Sequence, residues 1–192
     1  MRVITGSAKG RPLKTVKSRA VRPTSDRVKE SLFNIIGSRV VDADFLDLFA
    51  GSGAVGIEAL SRGARACVFV ELQTAHLKVV ADNLRTTGLA GRAELIRRDA
   101  RAALVDLAHR GRRFDFIFVD PPYGQDLVPA VLALIDGHGV LAEDGWVICE
   151  HHAKDPVPAA AGGLYRFREV LFGETMLSIY RADARDAGGQ NS

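Results

Sequence analysis

Four residues, Asp120-Pro121-Pro122-Tyr123, form the most chemically specific stretch of the chain. Two successive prolines fix φ and remove two N–H donors, so the local carbonyls are left as acceptors. An acceptor-only carboxylate precedes them and an aromatic ring follows. That set suits a planar group bearing an amino substituent. The Asp120 side chain and a proline carbonyl could take the two amino hydrogens while Tyr123 stacks on the ring. In isolation, the same four residues also describe a rigid turn whose tyrosine packs on a neighbour.

The second chemical stretch is Phe45 to Arg62, FLDLFAGSGAVGIEALSR. Gly51, Gly53 and Gly56 spell G-x-G-x-x-G between an apolar run and a helical pattern, and Glu71 stands 20 residues after Gly51. Such a turn lets a ligand approach the backbone at a helix N-terminus, and a carboxylate at that distance can accept from both hydroxyls of a ribose. The glycines by themselves fit a bare tight turn equally well. The acidic residue tips the reading toward a nucleotide-like ligand without naming it.

These residues need elements to hold them. Apolar runs at Phe45–Phe49, Ala66–Val70, Ala93–Ile96, Phe114–Val119 and Trp146–Cys149 read as strands. Between them, helical spacing covers Ala54–Arg62, a segment capped by Thr74 and closed by Gly88, Ala100–His109, and about Asp126 to Ile135. Strands alternating with helices imply right-handed crossovers and a mostly parallel sheet. Asp120 and the glycine turn then share the carboxyl edge of that sheet. Leu164–Phe172 and Glu174–Arg181 around Gly173 read as a terminal antiparallel hairpin. At the other end, Arg2–Thr5 and Leu13–Val16 suggest a basic β-hairpin. A helix follows with Val28, Leu32, Phe33, Ile35 and Ile36 on its packed face, Arg27, Lys29 and Glu30 away from that face, and Gly37 as its end. The expected division is a basic extension at 1–37, one α/β domain at 38–181 and a flexible tail at 182–192.

The 192 residues are 47% hydrophobic and 26% charged, values of a soluble globular chain. No apolar run approaches a bilayer's thickness and no h-region opens the chain, so the expectation is a cytoplasmic protein without membrane contact. Cys67 and Cys149 fall inside strands and read as buried thiols, and no metal-ligand spacing is present. His151 and His152 read as a solvated loop pair, His76, His109 and His138 as surface residues, and Trp146 as core. The net charge is +3, but residues 1–30 hold nine basic and two acidic side chains, a balance of +7 that leaves −4 for the rest. A basic arm on a mildly acidic body suggests a polyanionic partner, with a merely solvated edge as the plain alternative.

The glycine turn, the acidic residues after the second and third runs, and D-P-P-Y together resemble class I S-adenosylmethionine-dependent methyltransferases of the exocyclic-amine type. The arm narrows the resemblance. Arg2-Val3-Ile4-Thr5-Gly6, Lys9-Gly10-Arg11, Arg22-Pro23-Thr24, Asp26-Arg27-Val28 and Leu32-Phe33-Asn34, followed by DLFAGSGAVGIEALSRGA, are similar to the bacterial small-subunit ribosomal RNA guanine-N2 methyltransferase D family, from about Arg2 to Arg181. The resemblance implies a Rossmann-like α/β fold with a mostly parallel seven-stranded sheet. It implies S-adenosylmethionine as cofactor and a guanine of 16S ribosomal RNA, in a partly assembled 30S subunit, as target. It further implies a monomer that needs no metal.

By residue, the resemblance assigns the methionine end of the cofactor to Asp47 and the backbone from Phe49 through Gly51 to Gly53. It assigns the ribose to Glu71, with Leu72 against the adenine, and the adenine edge to Asp99 and the Ala100 N–H. Asp120, Pro121 and Tyr123 would hold the guanine. Arg22, Thr24 and Arg27 would lie where cofactor and RNA meet, and Lys9 and Arg11 would grip RNA. Many class I enzymes carry glycine where Phe49 stands, and related amine methyltransferases often carry Asn where Asp120 stands. Three other readings share parts of this pattern: a nicotinamide oxidoreductase, an amine methyltransferase acting on DNA adenine or on a protein glutamine, and a non-enzymatic RNA-binding module.

Overall fold

The computed structural model describes residues 1–16, 26–122 and 127–182. Its elements alternate as the apolar runs require. Helix α1 (Asp26–Ile36) leads through a 3-10 turn (Gly37–Val40) into β1 (Asp44–Asp47), α2 (Ala54–Ser61), β2 (Ala66–Glu71) and α3 (Thr74–Thr87). Then come β3 (Ala93–Arg97), α4 (Ala100–His109), β4 (Phe114–Val119), α5 (Leu127–His138) and β5 (Leu141–His152). The described residues close with β6 (Ala160–Ala161), β7 (Leu164–Phe172) and β8 (Thr175–Ala182).

The strands form one sheet in the order β3-β2-β1-β4-β5-β8-β7-β6. The first five are parallel, and β8, β7 and β6 add antiparallel. This is the expected doubly wound α/β arrangement with a terminal hairpin, widened from seven strands to eight by the two-residue β6. The order reverses between β1 and β4, and in such sheets ligands bind at that crevice beyond the strands' carboxyl ends.

Alternation along the strands sends successive side chains to two cores. Phe45, Phe69, Phe116 and Phe118 pack with Leu32 and Phe33 of α1, Ile57 and Leu60 of α2, and Val3 and Leu13 of the N-terminal segment. Leu46, Val68, Val70 and Ile117 face Leu104 and Leu107 of α4 and Val131 and Leu132 of α5. On the first side the rings of Phe33, Phe45 and Phe116 follow one another at 6.3 and 6.1 Å, and Trp146 meets Phe116 edge-on at 5.9 Å. The N-terminal segment and α1 therefore share the core of the sheet's first face.

Several local expectations change. The N-terminal runs make one antiparallel bridge, Arg2 with Pro12, rather than a full hairpin. Beyond it, Lys14 turns its N–H and C=O to the side chain of Asn83, which takes the place of a partner strand. The fifth strand is longer than Trp146–Cys149, because it pairs with Phe114 at one end and with Thr175 at the other. His151 consequently lies within the sheet, 5% exposed, with Nε2 2.8 Å from Ser178 Oγ. Burial pushes its pKa down. Thr74 is the first residue of α3 and not its cap, and the preceding Gln73 N–H is taken by Glu71 Oε1 at 2.8 Å. The expected start of α5 at Asp126 lies outside the described residues, as does the tail beyond Ala182.

Candidate active site

The glycine turn continues β1 past its last paired residue. Leu48 N–H donates to Phe118 O at 3.0 Å and Ala50 N–H to Val70 O at 2.9 Å, so the chain leaves the sheet between β4 and β2. Gly51 and Gly53 have φ of 54° and 76°, the left-handed region that glycine occupies without cost. The third glycine serves a different purpose. A Cβ on Gly56 would lie 2.4 Å from the Phe69 ring, so its absence lets α2 sit close on β2.

Three side chains hold this turn. Gly51 N–H donates to Glu71 Oε2 at 3.0 Å, Gly56 N–H donates to Asp47 Oδ2 at 3.1 Å, and Asn83 Nδ2 donates to Ser52 O at 2.9 Å. Asp47 is 2% exposed, and burial pushes its carboxyl up to about 7. The Gly56 N–H pulls the other way, and the neighbouring Glu71 charge adds to the rise. Glu71 uses Oε2 on Gly51, where His76, half-buried and not on the open surface as expected, brings Nδ1 to 3.5 Å, and Oε1 on Gln73, which leaves Oε1 a further lone pair for a hydroxyl donor.

The rest of the rim follows from strand register. Glu71 ends β2 and pairs with Arg97 at the end of β3, so Asp99 and Ala100 emerge beside it. Leu72, which follows Glu71 in the chain, is an apolar side chain left 57% exposed. Ala100 is buried as the first residue of α4. Asp99 caps that helix, accepting from Arg101 N–H at 3.0 Å and Ala102 N–H at 3.4 Å. The Arg101 guanidinium and these N–H groups hold the Asp99 carboxyl below the usual carboxylate range.

Asp47 pairs with Phe118 across β1 and β4, and Val119 with Cys149 across β4 and β5. Asp120 therefore leaves the sheet beside the glycine turn on one side and Glu150 on the other. It is half-buried, Pro121 is buried and Pro122 half-buried. Phe49 is half-buried against the second core. Tyr123, Arg22 and Thr24 lie outside the described residues. Lys9, Arg11 and Arg27 are exposed.

Lys29 departs from its expected place. It is fully buried, where its Nζ donates to Arg2 O at 2.6 Å and stands 3.5 Å from Glu58 Oε2. Glu58, also fully buried on α2, accepts from Ile4 N–H at 2.8 Å, Thr5 N–H at 3.0 Å and Arg62 Nε at 2.8 Å. Ser61 takes Ala8 N–H and donates to Thr5 O. One basic residue of the arm is thus spent on internal structure, and these polar groups dock the arm on α2. Sequence reasoning missed Glu58, Ser61 and Asn83. The available signal was a charge inside the otherwise apolar AVGIEALS, and an amide on the same helix face as Val80 and Leu84.

Together these residues line up backbone and carboxylate groups at the carboxyl ends of β1–β3, beside the Asp120-Pro121-Pro122 corner at the end of β4. Among the described residues no group of three or more His, Cys, Asp or Glu could hold a metal ion, and no helix is long and apolar enough to cross a membrane.

Comparison with known proteins agrees with this layout. The family described as conserved hypothetical protein 95 matches residues 1–181. "Putative rRNA methyltransferase YlbH" of Bacillus subtilis is 45% identical over 181 residues, covering 94% of this chain and 98% of its own. Ribosomal RNA small subunit methyltransferase D of Escherichia coli is 35% identical over 185 residues, covering 96% and 91%. Among solved structures, "Putative methyltransferase yhhF from Escherichia coli" superposes with a TM-score of 0.83 at 34% identity, covering 96% of this chain and 98% of that one. With matches that run nearly end to end at such identities, the chain belongs to the conserved hypothetical protein 95 family, alongside the ribosomal RNA small subunit methyltransferase D relatives it resembles.

Proposed function

We propose that this chain transfers a methyl group from S-adenosylmethionine to the exocyclic N2 amine of a guanine in 16S ribosomal RNA. The observation that carries the reading is the register that brings Asp120-Pro121-Pro122 out beside the glycine turn. The relatives' names support ribosomal RNA as the class of substrate.

The residues present fit the cofactor. Gly51 and Gly53 leave the backbone bare where a methionine chain would pass, and Asp47 offers a carboxylate beneath it. Glu71 retains a lone pair on Oε1 for a ribose hydroxyl, Leu72 offers an apolar face for adenine, and Asp99 with Ala100 borders the base edge. When bound, S-adenosylmethionine supplies a methyl group already activated on a sulfonium. The chain's own task is then to place and prepare the amine. A guanine amino nitrogen is a weak nucleophile because its lone pair is shared with the ring. Accepting both of its hydrogens, on Asp120 and a proline carbonyl, favours a pyramidal nitrogen with the lone pair freed. Tyr123 stacks on the unstacked base, and such placement contributes much of the rate. The proton leaves to Asp120 or to water.

Residues 1–37 serve as the RNA-binding extension and 38–181 as the catalytic domain, with Lys9, Arg11, Arg22, Thr24 and Arg27 toward the RNA. The protein works as a cytoplasmic monomer without a metal, on a partly assembled 30S subunit. The test is incubation of undermodified small subunits with labelled cofactor, followed by mapping of the methylated nucleoside. N2-methylguanosine is expected, and methyladenosine would assign the adenine alternative instead. Asp120→Ala should abolish transfer while cofactor affinity persists, and full activity in that variant would refute the assignment.

A further inference from the structure

Asn83 joins two parts of the molecule that the proposed reaction uses separately. It lies on α3, 1% exposed. Its Oδ1 accepts from Lys14 N–H at 2.9 Å. Its Nδ2 donates to Lys14 O at 3.0 Å and to Ser52 O at 2.9 Å. One amide therefore grips both backbone groups of an arm residue and, with its remaining hydrogen, the middle carbonyl of the glycine turn. The neighbouring Asp82 adds an ion pair to Lys14 Nζ at 2.7 Å, so α3 holds the arm at that residue by side chain and backbone together.

From this geometry we infer that Asn83 couples RNA binding on the arm to cofactor binding at the glycine turn, as a positioning residue touching neither ligand. The inference rests on the functional reading above. Its physical basis is the shared amide. If the end of the arm at Lys14 lifts from α3 while the buried residues up to Leu13 stay in place, Asn83 loses two of its three bonds, and a buried amide left unsatisfied costs free energy. It then rotates to find other partners, and Ser52 O loses its donor. An RNA that holds the arm down thus also holds the turn in the shape the cofactor meets, and the coupling is reciprocal. Glu71 and Asp47 fix the turn from the sheet side regardless of the arm, so the effect is a modulation of affinity and not an on–off switch.

The experiment is calorimetric titration of the full chain with S-adenosylhomocysteine, the demethylated cofactor that cannot react, alone and in the presence of undermodified small-subunit RNA. In the wild type, RNA should tighten the cofactor by about tenfold, within the usual span of such couplings. In Asn83→Ala the ratio should fall to near one, with cofactor affinity alone reduced a few-fold. Asn83→Ser, which keeps a small polar group but cannot span both partners, gives the same reading if the alanine variant does not fold. Wild-type protein that binds both ligands with no mutual effect overturns the coupling. So does either variant retaining the wild-type ratio. Failure of the wild type to bind S-adenosylhomocysteine at all overturns the functional reading itself, and the coupling with it.

Discussion

Replacing Asp47 by Asn should make the cofactor-free protein more stable at alkaline pH. The Asp47 carboxyl sits at the end of β1, 2% exposed, with Gly56 N–H as its hydrogen-bond donor. Burial raises its pKa from 3.8 to about 7. The folded state therefore holds a proton that the unfolded chain has released between these values, so this group's contribution to stability falls as pH rises from about 4 to about 7 and is flat above. Three units at 1.36 kcal/mol each make the cost about 4 kcal/mol at pH 8, as an order of magnitude. Asn is neutral at every pH and its Oδ1 can still accept from Gly56. Urea unfolding of both proteins at pH 5 and pH 8 checks this. The variant's advantage should grow by roughly 3 kcal/mol across that interval, two titrating units' worth. The same variant should bind S-adenosylmethionine more weakly at pH 8, because a cationic methionine amine would lose its carboxylate. A stability difference that does not change with pH would refute the buried-charge reasoning.

Three further outcomes follow from the packing and the charge layout. Glu58→Gln leaves the buried Lys29 ammonium with the Arg2 carbonyl and, among the described residues, with Asp26, 3.9 Å away, as its remaining carboxylate, and should cost about 3–5 kcal/mol in denaturant unfolding; the double variant with Lys29→Met should recover part of the loss. Gly56→Ala places a methyl 2.4 Å from the Phe69 ring and should destabilise by about 1–3 kcal/mol, read as a lowered melting temperature. Lys9→Ala with Arg11→Ala, both exposed, should leave the melting temperature in place. The pair should also flatten the salt dependence of RNA binding by about 0.7–0.9 per removed phosphate contact, measured by filter binding across salt concentrations.

How far the chain could be read in advance varied with the range of the interaction. The strand and helix sequence was legible because apolar spacing is local: α4 runs from Ala100 to His109 and β4 from Phe114 to Val119, as the spacing predicts. Rim residues such as Glu71, Asp99 and Asp120 were legible for a related reason. Each directly ends or follows a strand, so placing the strand places the residue. Where expectation and structure part, a polar side chain found a distant partner. Lys29 was set on the outer side of α1 by its charge. Helical spacing puts it on the packed face, three, four and seven residues before Leu32, Phe33 and Ile36, and its flexible stem carries the ammonium to Arg2 O and Glu58, distant partners that spacing alone does not name.

By itself, the amino-acid order determined an α/β chain with a glycine turn, an acceptor-only D-P-P corner and a basic start. These are properties of neighbouring residues, set by dihedral limits and hydrophobic period. Only the tertiary structure decided that β1 lies between β2 and β4, which puts turn and corner on one crevice, and that Glu58, Ser61 and Asn83 dock the arm. Those bonds join groups 53 to 69 residues apart, and burial makes each polar atom take whatever partner the packed chain presents.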